Sequence, residues 1–436
     1  MSFPRYPEYK DSGVEWLGEV PAHWELKRVG YLFDERRQKV SDKDYAALSV
    51  TKSGVVPQLA TAAKTDDGDN RKLVRIGDFV INSRSDRNGS AGLSAFDGSV
   101  SLINTVLAPR REILGLYVHH LLRSVMFQEE FYRNGRGIVA DLWSTNFSEM
   151  KDIVLAVPPP KEQAGITAFL DREVAKIDTL VAEQQRLIEL LKEKRQGVIS
   201  HAVTKGLNPQ APMKPSGVEW LGQIPAHWSL RELRHLVAAG TTITYGIVQA
   251  GPDTENGVPY IRTSDMSGDK LPMSGYLRTT HEIDAAYRRS KVSRNDLVVA
   301  IRASLGKGLL VPDHLEGANL TQGTARVSPG PGLLPKFLLR AFNSDYCQAS
   351  IRIAAKGTTF LEITLDELRR VPLAVPPLQE QADIAESIDG QVGRFDRLID
   401  EAMRAAQLLQ ERRTALISAA VTGQIDVRAI ADRAAA

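Results

Sequence analysis

Side chains suited to reading nucleic acid are gathered in a few short loops of this chain. Residues 81–90 (INSRSDRNGS) follow a strand-like stretch and offer two arginines, two amides and small hydroxyls. Arg84, Arg87 and Asn88 are its candidate contacts. Residues 299–307 (VAIRASLGK) place Arg302, Ser304 and Lys307 after a second such stretch. An arginine fork matches the O6/N7 edge of guanine, and an amide matches the N6/N7 edge of adenine. Hydroxyls and backbone N–H groups suit phosphate oxygens. Thr321 and Gln322 in NLTQGT, Lys356 and Thr358 in KGTT, and Arg136 in RNGR complete the candidate set. Arg262-Thr263-Ser264, Arg71-Lys72 with Arg75, and Arg288-Arg289 with Lys291 add local positive charge. A lone basic loop is commonly just solvated; the expectation of a DNA-binding face rests on their accumulation in two separate regions.

Residues that would make or break bonds lack the spacing such chemistry needs. No GxxxxGK[ST] phosphate loop occurs, and Gly306-Lys307-Gly308 lacks both the leading glycine and the hydroxyl residue. HExxH, GxSxG, the zinc-ligand spacings, GxGxxG after a strand and the Asp/Asn-Pro-Pro-Tyr type motif of amino-methyltransferases are missing too. The expectation is therefore no catalytic residue, no metal and no cofactor. His119-His120 sits in a helical stretch without a ligand pattern. His23 and His227, and Trp16, Trp24, Trp220 and Trp228, recur in near-identical contexts, which suits packing anchors better than catalysis or base stacking.

The elements that must position these loops come in duplicate. Residues 12–26 read SGVEWLGEVPAHWEL and residues 216–230 read SGVEWLGQIPAHWSL, with twelve of fifteen positions identical at an offset of 204. VPPPKEQAGITAFLDREVAKIDTLVAEQQ from Val157 recurs as VPPLQEQADIAESIDGQVGRFDRLIDEAM from Val375, now at an offset of 218. In the first copy, positions 166, 170, 174, 177, 181, 184, 188, 191, 195, 198 and 202 step by four and three, a coiled-coil seam. The second copy keeps the seam and even its polar interruption, Arg195 recurring as Arg413. Prolines 158–159 and 376–377 mark the starts; Gly206 and Gly423 mark the ends. About 43 helical residues give a rod of roughly 65 Å, too long for one amphipathic helix to hide its own seam. The two helices are expected to pack on each other as a spacer.

Between the repeats lie two divergent regions that read as α/β to α+β. Residues 78–81, 100–103, 296–300 and 308–311 are strand-like; residues 116–133 and 336–353 are helical. DFVINSR from Asp78 aligns with DLVVAIR from Asp296 at the 218 offset, which sets Arg84 opposite Arg302. The 436 residues hold 43% hydrophobic and 25% charged side chains, an ordinary globular balance. No apolar run approaches the roughly 18 residues a membrane span needs, and no signal peptide is read. The sole cysteine, Cys347, excludes intramolecular disulfides and thiolate-built zinc sites, and a reducing cytoplasm fits best. A formal charge of +2 means that any DNA affinity must come from local charge or from partner subunits.

The duplicated SGVEWLGx[IV]PAHW lead-in and PPxxEQ helix resemble the specificity subunit of a type I restriction-modification system, over essentially the whole length. That resemblance implies an α+β chain with two α/β target-recognition domains separated by two long helices, which form an antiparallel coiled coil with a pseudo-twofold internal repeat. The implied bounds are 1–157 for the first domain with its lead-in, 158–207 for the first spacer helix, 208–375 for the second domain, 376–425 for the second helix, and 426–436 for a tail. It further implies a non-catalytic reader of a bipartite asymmetric site in double-stranded DNA. Two methyltransferase subunits, and two restriction/translocase subunits, would be its partners. A reader for a modification-only or phage-defence variant of the complex fits the same residues.

Overall fold

The computed structural model describes residues 3–61, 68–84, 89–137, 143–357 and 361–428. The chain divides into two compact units, Met1–Gln185 with Met403–Ala436, and Arg186–Ala402.

The first unit is built on an antiparallel sheet of β1 (Phe33–Glu35), β2 (Phe79–Asn82), β3 (Ala91–Leu93) and β4 (Asn104–Pro109), in the order β3-β2-β4-β1. Alternation along β2 explains why it lies centrally. Phe79 and Ile81 point into one core with Trp24, Tyr117 and Phe127, whereas Val80 points into a second with Val74 and Val106. The second unit repeats this plan. Strands β5 (Thr244–Tyr245), β6 (Leu297–Ala300), β7 (Gly308–Leu310) and β8 (Thr324–Val327) run in the order β7-β6-β8-β5. Leu297 and Val299 face the core of Phe337 and Phe342, while Val298 and Ala300 face that of Met266 and Leu309. β2 and β6 are the strands aligned by DFVI and DLVV. Around them the units diverge: three antiparallel strands flank the sheet in the first, and a mixed set with a parallel pair, Tyr260 to Asn319, in the second.

Each lead-in forms a hairpin in identical register, Tyr9–Asp11 with Glu19–Pro21 and Met213–Pro215 with Gln223–Pro225. The strand after it then pairs with the LAVPP strand: Glu25–Arg28 with Val154–Val157, and Ser229–Glu232 with Pro372–Val375. This explains the two repeat offsets. Lead-in and helix start are neighbours in space, and the 14 extra residues of the second copy are taken up between its lead-in and β6.

The long helices are α1 (Pro160–Lys205) and α2 (Leu378–Val421), and Gly206 and Gly423 end them in the left-handed conformation, at φ 75 and 77°. All eleven seam positions in each helix are buried or half-buried. Within the first unit the start of α1 (Ile166, Leu170, Ile177) packs against the end of α2 (Leu416, Ala420, Val421), so the two run antiparallel. The repeated arginines find partners here that the seam alone did not reveal. Arg413 Nε donates to Asp178 Oδ1 at 2.8 Å in the first unit, and Arg195 pairs with Asp396 at 2.9 Å in the second. Both aspartates occupy the same repeat position, so one ion pair is made twice.

Two helical stretches are each broken in two. Residues 116–133 form Gly115–Leu121 and Val125–Arg133, and residues 336–353 form Pro335–Phe342 and Asp345–Ala354. Ser124 caps the first restart by accepting from Phe127 N, and Ser344 occupies the same place in the second. The stretch 100–103 is a turn rather than a strand. Strand Gly98–Val100 ends there, and β4 starts at Asn104, whose side-chain amide donates to Ser101 O.

Candidate nucleic-acid interface

Candidate residues collect at one end of each sheet because three loops meet there. In the second unit Ile301 N donates to Gly323 O at 2.9 Å, and Ile363 N donates to Ile301 O at 3.1 Å. The segment holding Thr321 and Gln322 therefore lies on one side of the β6 exit, and the segment holding Glu362 on the other. Lys356 and Glu362 exchange backbone hydrogen bonds of 2.9 and 3.0 Å, and Arg302 bridges to Glu362 as well. The first unit repeats the arrangement. Ser83 N donates to Ile103 O at 3.1 Å, Thr145 N donates to Ser83 O at 2.9 Å, and both Arg84 and Arg136 bridge to Ser144.

Five of the candidates, Arg302, Ser304, Thr321, Gln322 and Lys356, thus meet at one sheet end in the second unit, and two, Arg84 and Arg136, in the first. Lys307 closes the turn after β6, but its Nζ donates to Ser267 O at 2.8 Å, which gives it a bracing role in the loop. That turn is tight: Ala303 and Gly306 take positive φ of 56 and 81°, and Ala303, Ser304 and Arg302 are exposed at its tip. Arg87, Asn88 and Thr358 lie outside the described residues.

The electrostatics of the two ends differ at one position. Glu362 pairs with Arg302 at 2.8 Å between half-exposed side chains, whereas the corresponding Ser144 leaves Arg84 without a carboxylate among the described residues. Other basic clusters are spent on the fold. Arg71 is buried and donates to Ser99 Oγ at 2.8 Å; Lys72 Nζ donates to Asn104 O at 2.8 Å; Arg75 pairs with Asp97 at 2.9 Å. Arg262 is held by Asp265 at 2.8 Å and Lys291 by Asp284 at 2.7 Å. Neutral oxygens accept from Arg71 and Lys72, and aspartates hold Arg75, Arg262 and Lys291, which a count of local arginines does not register.

The repeated lead-in and helix start form a latch rather than a site for chemistry. Glu162 Oε1 accepts from Trp24 Nε1 at 2.9 Å and from the Tyr6 hydroxyl at 2.5 Å, while its Oε2 meets His23 Nε2 at 2.8 Å. In the second unit Glu380 Oε2 accepts from Trp228 Nε1 at 3.0 Å and meets His227 at 2.8 Å. The glutamines that follow act alike: Gln163 Oε1 accepts from Leu114 N and Gln381 Oε1 accepts from Leu334 N, both at 2.8 Å. Trp24 and Trp228 are fully buried anchors, and Trp16 packs edge-on against Phe127. Trp220 departs from that pattern. It is 45% exposed, and its Nε1 donates to Ser350 Oγ at 2.7 Å. Glu162 and Glu380 were the residues that motif reading passed over, although both stand in the repeated PPxxEQ.

Among the described residues no cluster of His, Cys, Asp or Glu is arranged to hold a metal, and no helix is long and apolar enough to cross a membrane. His119 is drawn down to about 4 by burial, with Arg123 alongside reinforcing it. Burial also lowers His120, against the pull of Asp171, and raises the Cys347 thiol.

Comparison with known proteins fits this geometry. Residues 227–400 match the family described as type I restriction modification DNA specificity domain. The chain is 26% identical to the EcoBI specificity subunit of Escherichia coli over 63% of its length and 59% of that protein's. It is 22% identical to the putative MjaX specificity subunit of Methanocaldococcus jannaschii, over 94% of this chain and 96% of that one. This chain resembles the specificity subunits of type I restriction systems. Solved structures give the same fold. A chain from a study of complex assembly and conformational transition of the type I R-M system superposes with a TM-score of 0.66 at 18% identity, covering 92% of this chain and 98% of that one. The HsdS subunit from Thermoanaerobacter tengcongensis gives 0.51 at 16% identity, over 95% and 100%. These relatives are named specificity subunits, and the chain spans about three fifths of the length of the EcoBI subunit that it matches.

Proposed function

We propose that the chain is the DNA sequence-specificity subunit of a type I restriction-modification complex, each divergent domain reading one half of a bipartite, asymmetric target. One observation carries the reading. Both units hold the same four-strand order, with basic, hydroxyl and amide side chains at the same sheet end, yet the loops themselves differ. A shared frame with unlike loops suits two readers of unlike half-sites. On one face of B-DNA, two such readers favour half-site centres about one helical turn, roughly 34–36 Å, apart. The sequence bounds 1–157, 158–207, 208–375 and 376–425 are the proposed reader and spacer segments.

Two methyltransferase subunits, with restriction/translocase subunits beyond them, are the proposed partners. The helices α1 and α2 carry exposed leucines at matched repeat positions, Leu180 and Leu398, and Leu190 and Leu408, all 44–58% exposed. Apolar side chains repeated off the seam support docking of two equivalent partners there. A net charge of +2 leaves phosphate neutralisation largely to those subunits.

Single-molecule methylome sequencing of the host, with the gene present and deleted, tests this. One gapped, asymmetric methyladenine motif disappears on deletion. Exchanging residues 30–156 for another such domain changes one half of the motif only; a change in both halves refutes independent readers. Lengthening both helices by a few residues widens the unread gap and alters neither half.

A further inference from the structure

At Gly89 the first unit has a cleft of about 420 Å³, lined also by Lys52, His119, His120, Arg123, Gln128 and Arg413. Its charges are unevenly matched. Asp178 takes Arg413, and Asp171 takes His120 at 2.8 Å. Among the described residues Arg123 has neutral partners: it donates to the Lys52 carbonyl and meets His119 Nε2 at 2.8 Å. Among the described residues no carboxylate reaches Arg123 or the Lys52 ammonium. Burial and the facing Arg413 both disfavour the Arg123 cation, an electrostatic cost that an anion would remove.

The second unit carries different side chains at this position. Ser124 and Ser344 align as helix starts, which sets Arg123 opposite Asn343 and His119 opposite Leu339. Asn343 is satisfied internally, its amide donating to Gly308 O at 2.9 Å and accepting from Gly308 N at 3.0 Å. Asp389, at the place of Asp171, is taken by Arg340 at 2.7 Å. In the second copy each cation at this position, Arg340 and Arg195, thus has its own aspartate, whereas in the first Arg123 is an additional cation without a carboxylate among the described residues.

We infer that the first unit's cleft is a phosphate-binding site absent from the second, with Arg123 and Lys52 as its principal ligands and Arg413 and Gln128 at its wall. Guanidinium and ammonium donors are the groups that hold phosphate oxygens. The phosphate comes either from the backbone of bound DNA or from a free ion. The first source rests on the DNA-reading function proposed above; the second does not.

The test uses the full chain and the variants Arg123→Asn, the residue that the second unit carries, and Lys52→Gln, which alters an exposed hairpin side chain. Inorganic phosphate is titrated at constant ionic strength while the thermal midpoint is followed. Binding of duplex DNA is measured across a salt series. A phosphate-dependent rise in midpoint for the parent chain, absent in both variants, establishes the site. If a DNA phosphate occupies it, each variant also lowers the slope of log affinity against log salt by about one. If the slopes are equal while the midpoint difference persists, the ligand is the free ion. Equal midpoints and equal slopes in all three proteins overturn the inference. A chain that binds no duplex at all refutes the DNA-reading function, while the phosphate titration still decides the cleft.

Discussion

Glu162→Ala removes the acceptor on which the first lead-in closes, and the two units make it an internally controlled experiment. In the first unit three donors converge on a carboxylate that is only 7% exposed: Tyr6 at 2.5 Å, Trp24 at 2.9 Å and His23 at 2.8 Å. Trp24 and Tyr6 are themselves buried, so truncation strands two polar hydrogens away from water. Each unsatisfied buried donor costs about 1–3 kcal/mol, and water entering beside the half-exposed His23 relieves part of that. A destabilisation of about 3 kcal/mol is expected. Glu380→Ala is milder: its carboxylate is 27% exposed and receives two donors, of which His227 already faces solvent. About 1–2 kcal/mol is expected there. Hydrogen exchange read by mass spectrometry on peptides covering 9–21 and 213–225 separates the two hairpins. Protection in 9–21 falls in Glu162→Ala with 213–225 untouched, and the reverse holds, by a smaller amount, in Glu380→Ala. Equal losses in the two variants, or a loss under 1 kcal/mol for Glu162→Ala, would refute the reasoning that donor count and burial set the strength of the latch.

Other consequences are open to measurement. Gly423→Ala destabilises more than Gly206→Ala in chemical unfolding, because both positions have positive φ but the added Cβ would lie 2.3 Å from Pro21 Cδ in the first and no nearer than 3.1 Å to Glu380 Oε1 in the second; the strain alone costs about 1 kcal/mol, and the clash adds to it. A double-mutant cycle on Asp178 and Arg413 gives a coupling below about 1 kcal/mol that shrinks with added salt, since both side chains are well exposed. His119 is held neutral in the folded chain, at about 4 against 6.5 for the free side chain, so the unfolded state takes up its proton first. Stability therefore falls as pH drops from about 6.5 to about 4, and His119→Leu, which installs the second unit's residue, flattens that limb of a thermal-midpoint profile.

Legibility in the sequence followed the range of the physics involved. Seam positions 166 to 202 and their repeats recur at intervals set by one helical turn, so the apolar stripe stands in the chain itself, and Gly206 and Gly423 end it where a left-handed residue is needed. Arg195 and Arg413 were visible as interruptions, but Asp396 and Asp178 were not visible as their partners, although all four keep the 218 offset. Antiparallel register is what joins them. The breaks at Ser124 and Ser344 went unread because an apolar stripe continues across them and only the cap geometry ends the helix.

The sequence by itself determined that this protein is one plan written twice: a lead-in, a divergent region and a long helix, with basic loops after matched strands. Tertiary structure alone decided which charges remain free. Arg71 and Arg262 lose theirs to buried or neighbouring acceptors, Arg302 is shared with Glu362, and Arg123 is left facing Arg413 with no carboxylate among the described residues. The physical reason is that periodic burial depends on residues three and four apart, whereas neutralisation of a charge depends on whichever groups the fold brings within reach, at no fixed spacing along the chain.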